Sequence, residues 1–322
     1  MKAVRLEKFG DPADLKVADI AAPQPAGDEA LVRVLAASIN PSDLSNVMGR
    51  FAQTKLPRTI GRDFAGVVES GPTEWRGAEV FGTGGDLGFT REGTHAELVA
   101  VPIAALTRRP GKLSVEGAAS VGVTYITAYS ALRRAKLSAG ETVLIVGAGG
   151  VGHAAVQIGK WLNARTIVTA KDGADAQRAK ATGADHVVVL GERPLPEAVR
   201  AITGQGGANV CFNTVGGPTF EPGLLSLAPS GRLVVIAANV EKRVGLDLMH
   251  FYRQELVMIG LNTSHLDAVA CATLLGEMSE GFASGALAPP PTAEHYPLAD
   301  AVKAYQRQAS KQVKGKIVLR MS

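Results

Sequence analysis

The chain has 322 residues, of which 46% are hydrophobic and 20% charged, so it is ordinary globular material with length enough for two domains and no need of a disulfide or metal staple. A net charge of +4, carried by scattered Lys and Arg among only 5% aromatic residues, gives neither the basic stripe nor the stacking platform of a nucleic-acid-binding face. Cys211 and Cys271 lie outside any C-x-x-C pattern, MKAVRLEKFGDP has no apolar signal core, and no run approaches the ~20 apolar residues of a membrane span; the expectation is a cytoplasmic protein with no membrane partner.

In chain order, residues 1 to about 118 read as short β segments punctuated by Gly and Pro: EALVRVLAASI, FAGVVES, AEVFGTGG and THAELVAVP. The stretch EWRGAEVFGTGGDLGFTREG is loop-like. Residues 114–135 read as a helix, with Ser114 as its N-cap. From residue 142 the pattern alternates. ETVLIVGAG is a strand, HAAVQIGKWLN a helix, RTIVTA a strand, ADAQRAKATG a helix ended by Gly183, and DHVVVL a strand. PEAVRAITG then reads as helix, and NVCFNTV, GRLVVIAA and LVMIGLN as strands. Such alternation specifies an α/β fold with a doubly wound parallel sheet. Beyond residue 262 it gives way to a helical stretch (LDAVACATLLGEMSEGFASG), a proline-rich turn (APPPTAEHYP), a helix (ADAVKAYQRQAS) and a last strand (GKIVLR).

The glycine run Gly147-x-Gly149-x-x-Gly152 ends one strand and opens one helix. Gly147, Gly149, Gly150, Val151 and Gly152 are therefore candidates to cradle a dinucleotide diphosphate: the glycines allow a tight turn and close approach, and the helix amides face the phosphates. An acidic residue that would bind the ribose of NAD is expected at the end of the next strand. Here that strand, RTIVTA, is followed by Lys171, which favours the 2′-phosphate of NADP(H); Asp172 is adjacent, and Lys171 also reads as a solvated loop lysine.

Four collinear stretches carry a resemblance: INPSDLSNVMGRF with LPRTIGRDFAGVVES, GTHAELVAVP, GAASVGVTYITAYSAL with the glycine loop, and YPLADAVKAYQ with KGKIVLR. The chain resembles the zinc-independent quinone oxidoreductase branch of the medium-chain dehydrogenase/reductase superfamily. The resemblance implies a Rossmann domain (121–262) inserted in a GroES-like β-rich domain (1–120, with a C-terminal return over 263–322), an active site in the cleft between them, and a homodimer. Zinc-dependent relatives place Cys and His where this chain has Ser42-Asp43, G-H-E where it has Gly61-Arg62-Asp63, and Cys where it has Val123-Thr124. With the six histidines dispersed as well, no metal is expected.

There are departures from the branch. Ser45 and Phe51 stand in tyrosine positions, Leu190 replaces a further tyrosine, the glycine loop is one residue shorter than usual, and the family-like D-x-V-G-G reads Asn213-Thr-Val-Gly-Gly.

Without a metal, hydride must go to an acceptor already activated, such as a quinone or a C=C bond conjugated to a carbonyl. Asn40 is the candidate donor to that carbonyl, or else an Asn-Pro turn residue bonding its own backbone. Asp43, taken as an exposed and ionised carboxylate, is expected to order the loop or site water. Thr127 and Asn262 match family positions beside the nicotinamide, and Asn213 joins the cofactor set. His95 reads as packing, and Tyr125 and Tyr129 as pocket lining or core. Two other functions stay open: a zinc-free carbonyl reductase, and a dinucleotide-binding protein without catalysis.

Overall fold

The computed structural model describes residues 1–238 and 241–321. The chain divides into two compact units, Thr127–Asn262 and a second made of Met1–Ile126 with the described residues from Thr263 onward.

The Thr127–Asn262 unit holds a six-stranded sheet, parallel throughout. Its spatial order is His186–Val189, Arg165–Ala170, Thr142–Val146, Ala208–Asn213, Leu227–Val235, Val257–Gly260. Numbered along the chain this is 3-2-1-4-5-6, the order of a doubly wound dinucleotide-binding sheet. All five residues of Thr142–Val146 are buried, as expected of a central strand covered by helices on both faces. The core gathers Leu144, Ile167, Val199, Cys211, Leu224 and Leu233 from strands and crossover helices.

In the other unit the eleven-residue strand Glu29–Ile39 organises a seven-stranded sheet, pairing with Phe64–Ser70, Leu98–Pro102 and Lys316–Arg320. A smaller three-stranded sheet is built on Lys2–Leu6. Val4, Ile39, Val47, Ile60, Tyr305 and Ile317 fill the core beneath both.

The helix read over 114–135 spans Val115–Arg134, and Ser114 Oγ accepts from Gly117 N at 3.0 Å, as an N-cap should. Two readings are corrected. The proline-rich APPPTAEHYP contains an edge strand, Thr292–Pro297, parallel to Lys316–Arg320; the prolines precede the strand or close it, where no ladder donor is needed. The helical stretch after residue 266 is two helices, Ala268–Glu277 and Ser279–Ser284, separated at Met278. A short helix missed in the sequence, Pro41–Val47, follows directly on the central strand and is opened by Asn40 and Pro41.

Candidate functional site

The glycine loop lies at the carboxyl end of Thr142–Val146, where ligands bind in open α/β sheets. Gly147 has φ +107°, which an L side chain rarely adopts, and its N–H is held by Thr169 Oγ1 at 3.0 Å. A Cβ on Gly152 would lie 2.0 Å from the Gly147 carbonyl oxygen, so only glycine lets the helix pack this close to its strand. A Cβ on Gly149, the N-cap of Gly150–Trp161, would meet nothing within 4 Å. The amides of Gly150, Val151 and Gly152 therefore open the helix toward free space, with the positive end of its dipole behind them. The cradle fits a dinucleotide diphosphate.

Lys171 follows Arg165–Ala170 directly and is exposed, its Nζ 3.8 Å from Asp172 Oδ2. Asp172 is committed elsewhere: it caps the helix Gly173–Ala181, accepting from Asp175 N at 2.8 Å, and that hydrogen bond holds its carboxyl below the usual range. Asp175 in turn is paired with Arg178. Lys171 is thus the charge at the strand end that is not tied into the helix.

Asn213 sits at the corresponding end of Ala208–Asn213 but is fully buried. Its Oδ1 accepts from Val215 N at 3.0 Å, Gly216 N at 2.8 Å and Thr219 Oγ1 at 3.1 Å, so its work is to shape the following turn. Thr127 is buried in its helix, and Asn262 is exposed just beyond Val257–Gly260. Tyr129 packs against Trp161, ring centroids 6.4 Å apart. A shallow depression lined by Lys160, Asn163, Arg165 and Asp185 lies at the opposite, amino end of the strands and is not the nucleotide cradle.

The second constellation belongs to the other unit and is a buried polar cluster. Asp63, fully buried, accepts from Ser38 Oγ at 3.1 Å, Asn40 Nδ2 at 2.9 Å and Val123 N at 2.9 Å. Lys316 Nζ stands 3.6 Å from the same carboxylate and donates to Asn40 Oδ1 at 2.6 Å. Burial holds the Lys316 ammonium below its usual range, against the pull of Asp63 and Asp43.

Here the expected role of Asn40 changes. It is 1% exposed and both ends of its amide are taken, so it holds Asp63 and Lys316 together rather than presenting a donor to a substrate. Asp43 needs a second correction: it is 1% exposed, not a solvated carboxylate. Burial pushes its carboxyl up to about 7, with Arg62 opposing and Asp63 adding to the rise. Its Oδ2 accepts from Asn40 N at 2.8 Å.

His95 packs as expected. A carbonyl can only accept, so the 3.3 Å contact to Ser38 O puts the proton on Nε2, and Nδ1 accepts from the Tyr305 hydroxyl at 3.0 Å. Burial lowers its pKa to about 4, so the ring is neutral. Tyr125 is core, its hydroxyl donating to the Ala288 carbonyl.

Sequence reasoning missed Lys316, Asp63, Ser38 and Tyr305 as one network. The available signal was a lysine opening an otherwise apolar strand, KIVLR, and a charged pair in IGRDFAG. Among the described residues, no three His, Cys, Asp or Glu side chains assemble into a possible metal site. No described helix is long and apolar enough to cross a membrane.

The family described as "Alcohol dehydrogenase GroES-like domain" matches residues 26–111, and "Zinc-binding dehydrogenase" matches residues 150–277. A zinc-type alcohol dehydrogenase-like protein of Schizosaccharomyces pombe is 38% identical over 292 residues, covering 88% of this chain and 86% of its own. Human quinone oxidoreductase is 32% identical over 246 residues, 74% of each chain. Among solved structures, an NAD-dependent alcohol dehydrogenase superposes with a TM-score of 0.91 at 30% identity over the whole of both chains. A mycobacterial protein complexed with NADPH gives 0.85 at 27% identity, over 99% of this chain and 100% of its own. The chain belongs to the medium-chain dehydrogenase/reductase superfamily, in its zinc-independent quinone oxidoreductase branch, and is an oxidoreductase of that family.

Proposed function

We propose that the protein is an NADPH-dependent reductase that delivers hydride, without a metal, to a quinone or to a C=C bond conjugated to a carbonyl. The observation that carries this reading is the residue set where metal-dependent relatives keep their ligands: Ser42, Asp43, Arg62 and Val123, with the Arg62 guanidinium held by the Gly84 carbonyl at 2.8 Å. That set offers a fixed cation and no ligand shell, which suits an acceptor whose own conjugation accepts electrons. Quinone oxidoreductases among the relatives support the acceptor class, and the NADPH-bound neighbour supports the cofactor.

A bound nicotinamide dinucleotide supplies hydride from C4 of its reduced ring. The first-turn amides of Gly150, Val151 and Gly152 bind its diphosphate, and Lys171 faces its ribose phosphate. Thr127 and Asn262, at the two ends of their unit, take the nicotinamide end. Asn40 acts as a positioning residue for Asp63 and Lys316, and Asp43 contributes a carboxyl that is partly protonated at neutral pH. The two cysteines are buried free thiols, consistent with a cytoplasmic location. Self-association would use the edge strand Val257–Gly260, where Val257 and Met258 are exposed beside Leu248, Met249 and Tyr252.

The deciding measurement is steady-state oxidation of NADPH and NADH, after exhaustive chelation, with a quinone, a 2-alkenal and a simple ketone. Turnover of the quinone or alkenal with NADPH preferred is expected. Reduction of the ketone alone, a preference for NADH, or a stoichiometric zinc requirement would overturn the reading.

A further inference from the structure

Arg62 is the anomaly of the buried cluster. It is 3% exposed, yet among the described residues no carboxylate lies at ion-pair distance from it. Its Nε donates to Gly84 O at 2.8 Å, its Nη1 reaches Ser42 Oγ at 3.4 Å, and its Cζ stands 5.5 Å from the centre of the Phe89 ring. Its direct partners are therefore all neutral, although the Asp43 carboxyl lies within its field, and Nη2 makes no hydrogen bond among the described residues.

Other arginines of this chain show the contrast. Arg232 pairs with Glu141 at 2.8 Å through two nitrogens, and Arg5 with Glu92 at 2.7 Å. A buried cation without a counter-charge is costly and persists where something else supplies the charge. A second unsatisfied group lies on the same turn. Thr83 Oγ1, in a residue 2% exposed, has no hydrogen-bond partner, and Thr83 immediately precedes the Gly84 whose carbonyl holds Arg62. An Arg62 nitrogen with no partner, on a side chain tethered to the Gly84 carbonyl, and the buried Thr83 hydroxyl one residue away from that carbonyl make a site for an oxygen that carries or gains negative charge.

We infer that Arg62 is a catalytic residue whose unused N–H donors hold the carbonyl oxygen of the hydride acceptor, with the Thr83 hydroxyl as a second donor. This rests on the reductase reading and assigns its electrophile. As hydride forms the new C–H bond at the β-carbon, the C=C pair moves between the α-carbon and the carbonyl carbon, and the C=O π pair moves onto oxygen. Arg62 holds that enolate oxygen. A solvent proton then adds at the α-carbon as the carbonyl re-forms. The acceptor gains two electrons and two hydrogens, and the reduced dinucleotide loses the hydride. The guanidinium remains protonated throughout, so it stabilises charge and transfers no proton.

The test compares the wild-type protein with Arg62→Met, Arg62→Lys and Arg62→Ala on the quinone and alkenal, with NADPH affinity measured separately by nucleotide fluorescence. Loss of one oxyanion donor should lower kcat about 100-fold in Arg62→Met. NADPH affinity should stay within about twofold, because the nucleotide cradle is a different set of residues. Arg62→Lys should fall between Met and wild type, since it keeps charge but not the fork. Added guanidinium should restore Arg62→Ala about tenfold, a rescue that a merely structural role would not give. If the wild-type protein binds NADPH and turns over no acceptor, the reductase reading itself fails. If wild type turns over and Arg62→Met keeps kcat within about threefold, this assignment alone fails. Absence of guanidinium rescue in a folded Arg62→Ala also overturns it.

Discussion

Lys316→Met tests whether the buried cluster is held by charge or by packing. The methionine keeps most of the side-chain volume and removes the ammonium. Lys316 is 7% exposed in its side chain and Asp63 is 0%, so neither charge is screened by water in the fold. Breaking one partner out of a buried pair costs about 3–5 kcal/mol, because the other charge is left uncompensated. Asp63 retains three donors, Ser38 Oγ, Asn40 Nδ2 and Val123 N, which places the expected loss at the lower end, about 3 kcal/mol. The Asn40 amide also loses its Nζ partner at 2.6 Å, which adds to the cost. Trp75 reports on the unit that holds the cluster and Trp161 on the other, so urea unfolding followed by fluorescence in a Trp161→Phe background isolates the relevant transition. Adding Asp63→Asn should recover about 1–3 kcal/mol relative to the sum of the two single losses. A Lys316→Met loss below about 1 kcal/mol, or strict additivity in the double variant, would refute the argument that the pair is held electrostatically.

Asp43 and His95 make opposed pH predictions. The folded carboxyl of Asp43 titrates near 7, above its unfolded value near 4, so its contribution to stability is lost as pH rises across that window. His95 titrates near 4 in the fold and about 6.5 unfolded, so its contribution is lost as pH falls across its own window. The two largely cancel between about pH 4 and 6.5, and Asp43→Asn should therefore show a steeper rise of melting temperature with pH than wild type; parallel profiles would contradict the burial of Asp43. Gly152→Ala should weaken NADPH binding at least about tenfold and destabilise by about 1–3 kcal/mol, since its Cβ would lie 2.0 Å from a backbone oxygen; unchanged binding by titration would mean the loop yields freely. Lys171→Ala should weaken NADPH about tenfold and leave NADH unmoved, the low end of a charge-assisted contact because the side chain is 59% exposed; equal losses for both nucleotides would reduce Lys171 to loop support. Val257→Glu should convert a homodimer to monomer in light scattering, whereas a wild-type monomer at micromolar concentration would dispose of the edge-strand interface.

What the sequence made legible followed local rules. Apolar runs bounded by glycine gave the six parallel strands, because a sheet covered on both faces needs continuous hydrophobic segments, and the spacing of Gly147, Gly149 and Gly152 reports a geometric need at that turn. Asn40 and Asp43 were noticed for their residue types and misread for their environment. Burial is a property of the folded neighbourhood: Asn40 meets Lys316 across 276 positions of chain, and nothing local in INPSD announces that partner. The same distance hid Tyr305 from His95, 210 positions apart. The edge strand Thr292–Pro297 was masked by its prolines, which mark it as a turn until its partner Lys316–Arg320 is in place.

The cluster's charges are arranged so that neither carboxylate satisfies Arg62. Asp63 is saturated by Lys316, Asn40, Ser38 and the Val123 amide, all of which converge on it within 3.6 Å. Asp43 is buried so thoroughly that its proton is retained up to about pH 7, which blunts its negative charge beside Arg62. His95 contributes none, because burial keeps its ring neutral and its two nitrogens are engaged by Ser38 and Tyr305. A protein stabilised for its own sake would pair the Arg62 guanidinium with a carboxylate, as it does for Arg5 and Arg232. Withholding that partner costs stability, and the return is a fixed positive site that is strongest when a negative oxygen forms beside it. Hydride addition to a conjugated carbonyl creates such an oxygen in the transition state and not before, which is the condition for Arg62 to accelerate the reaction rather than only tighten binding.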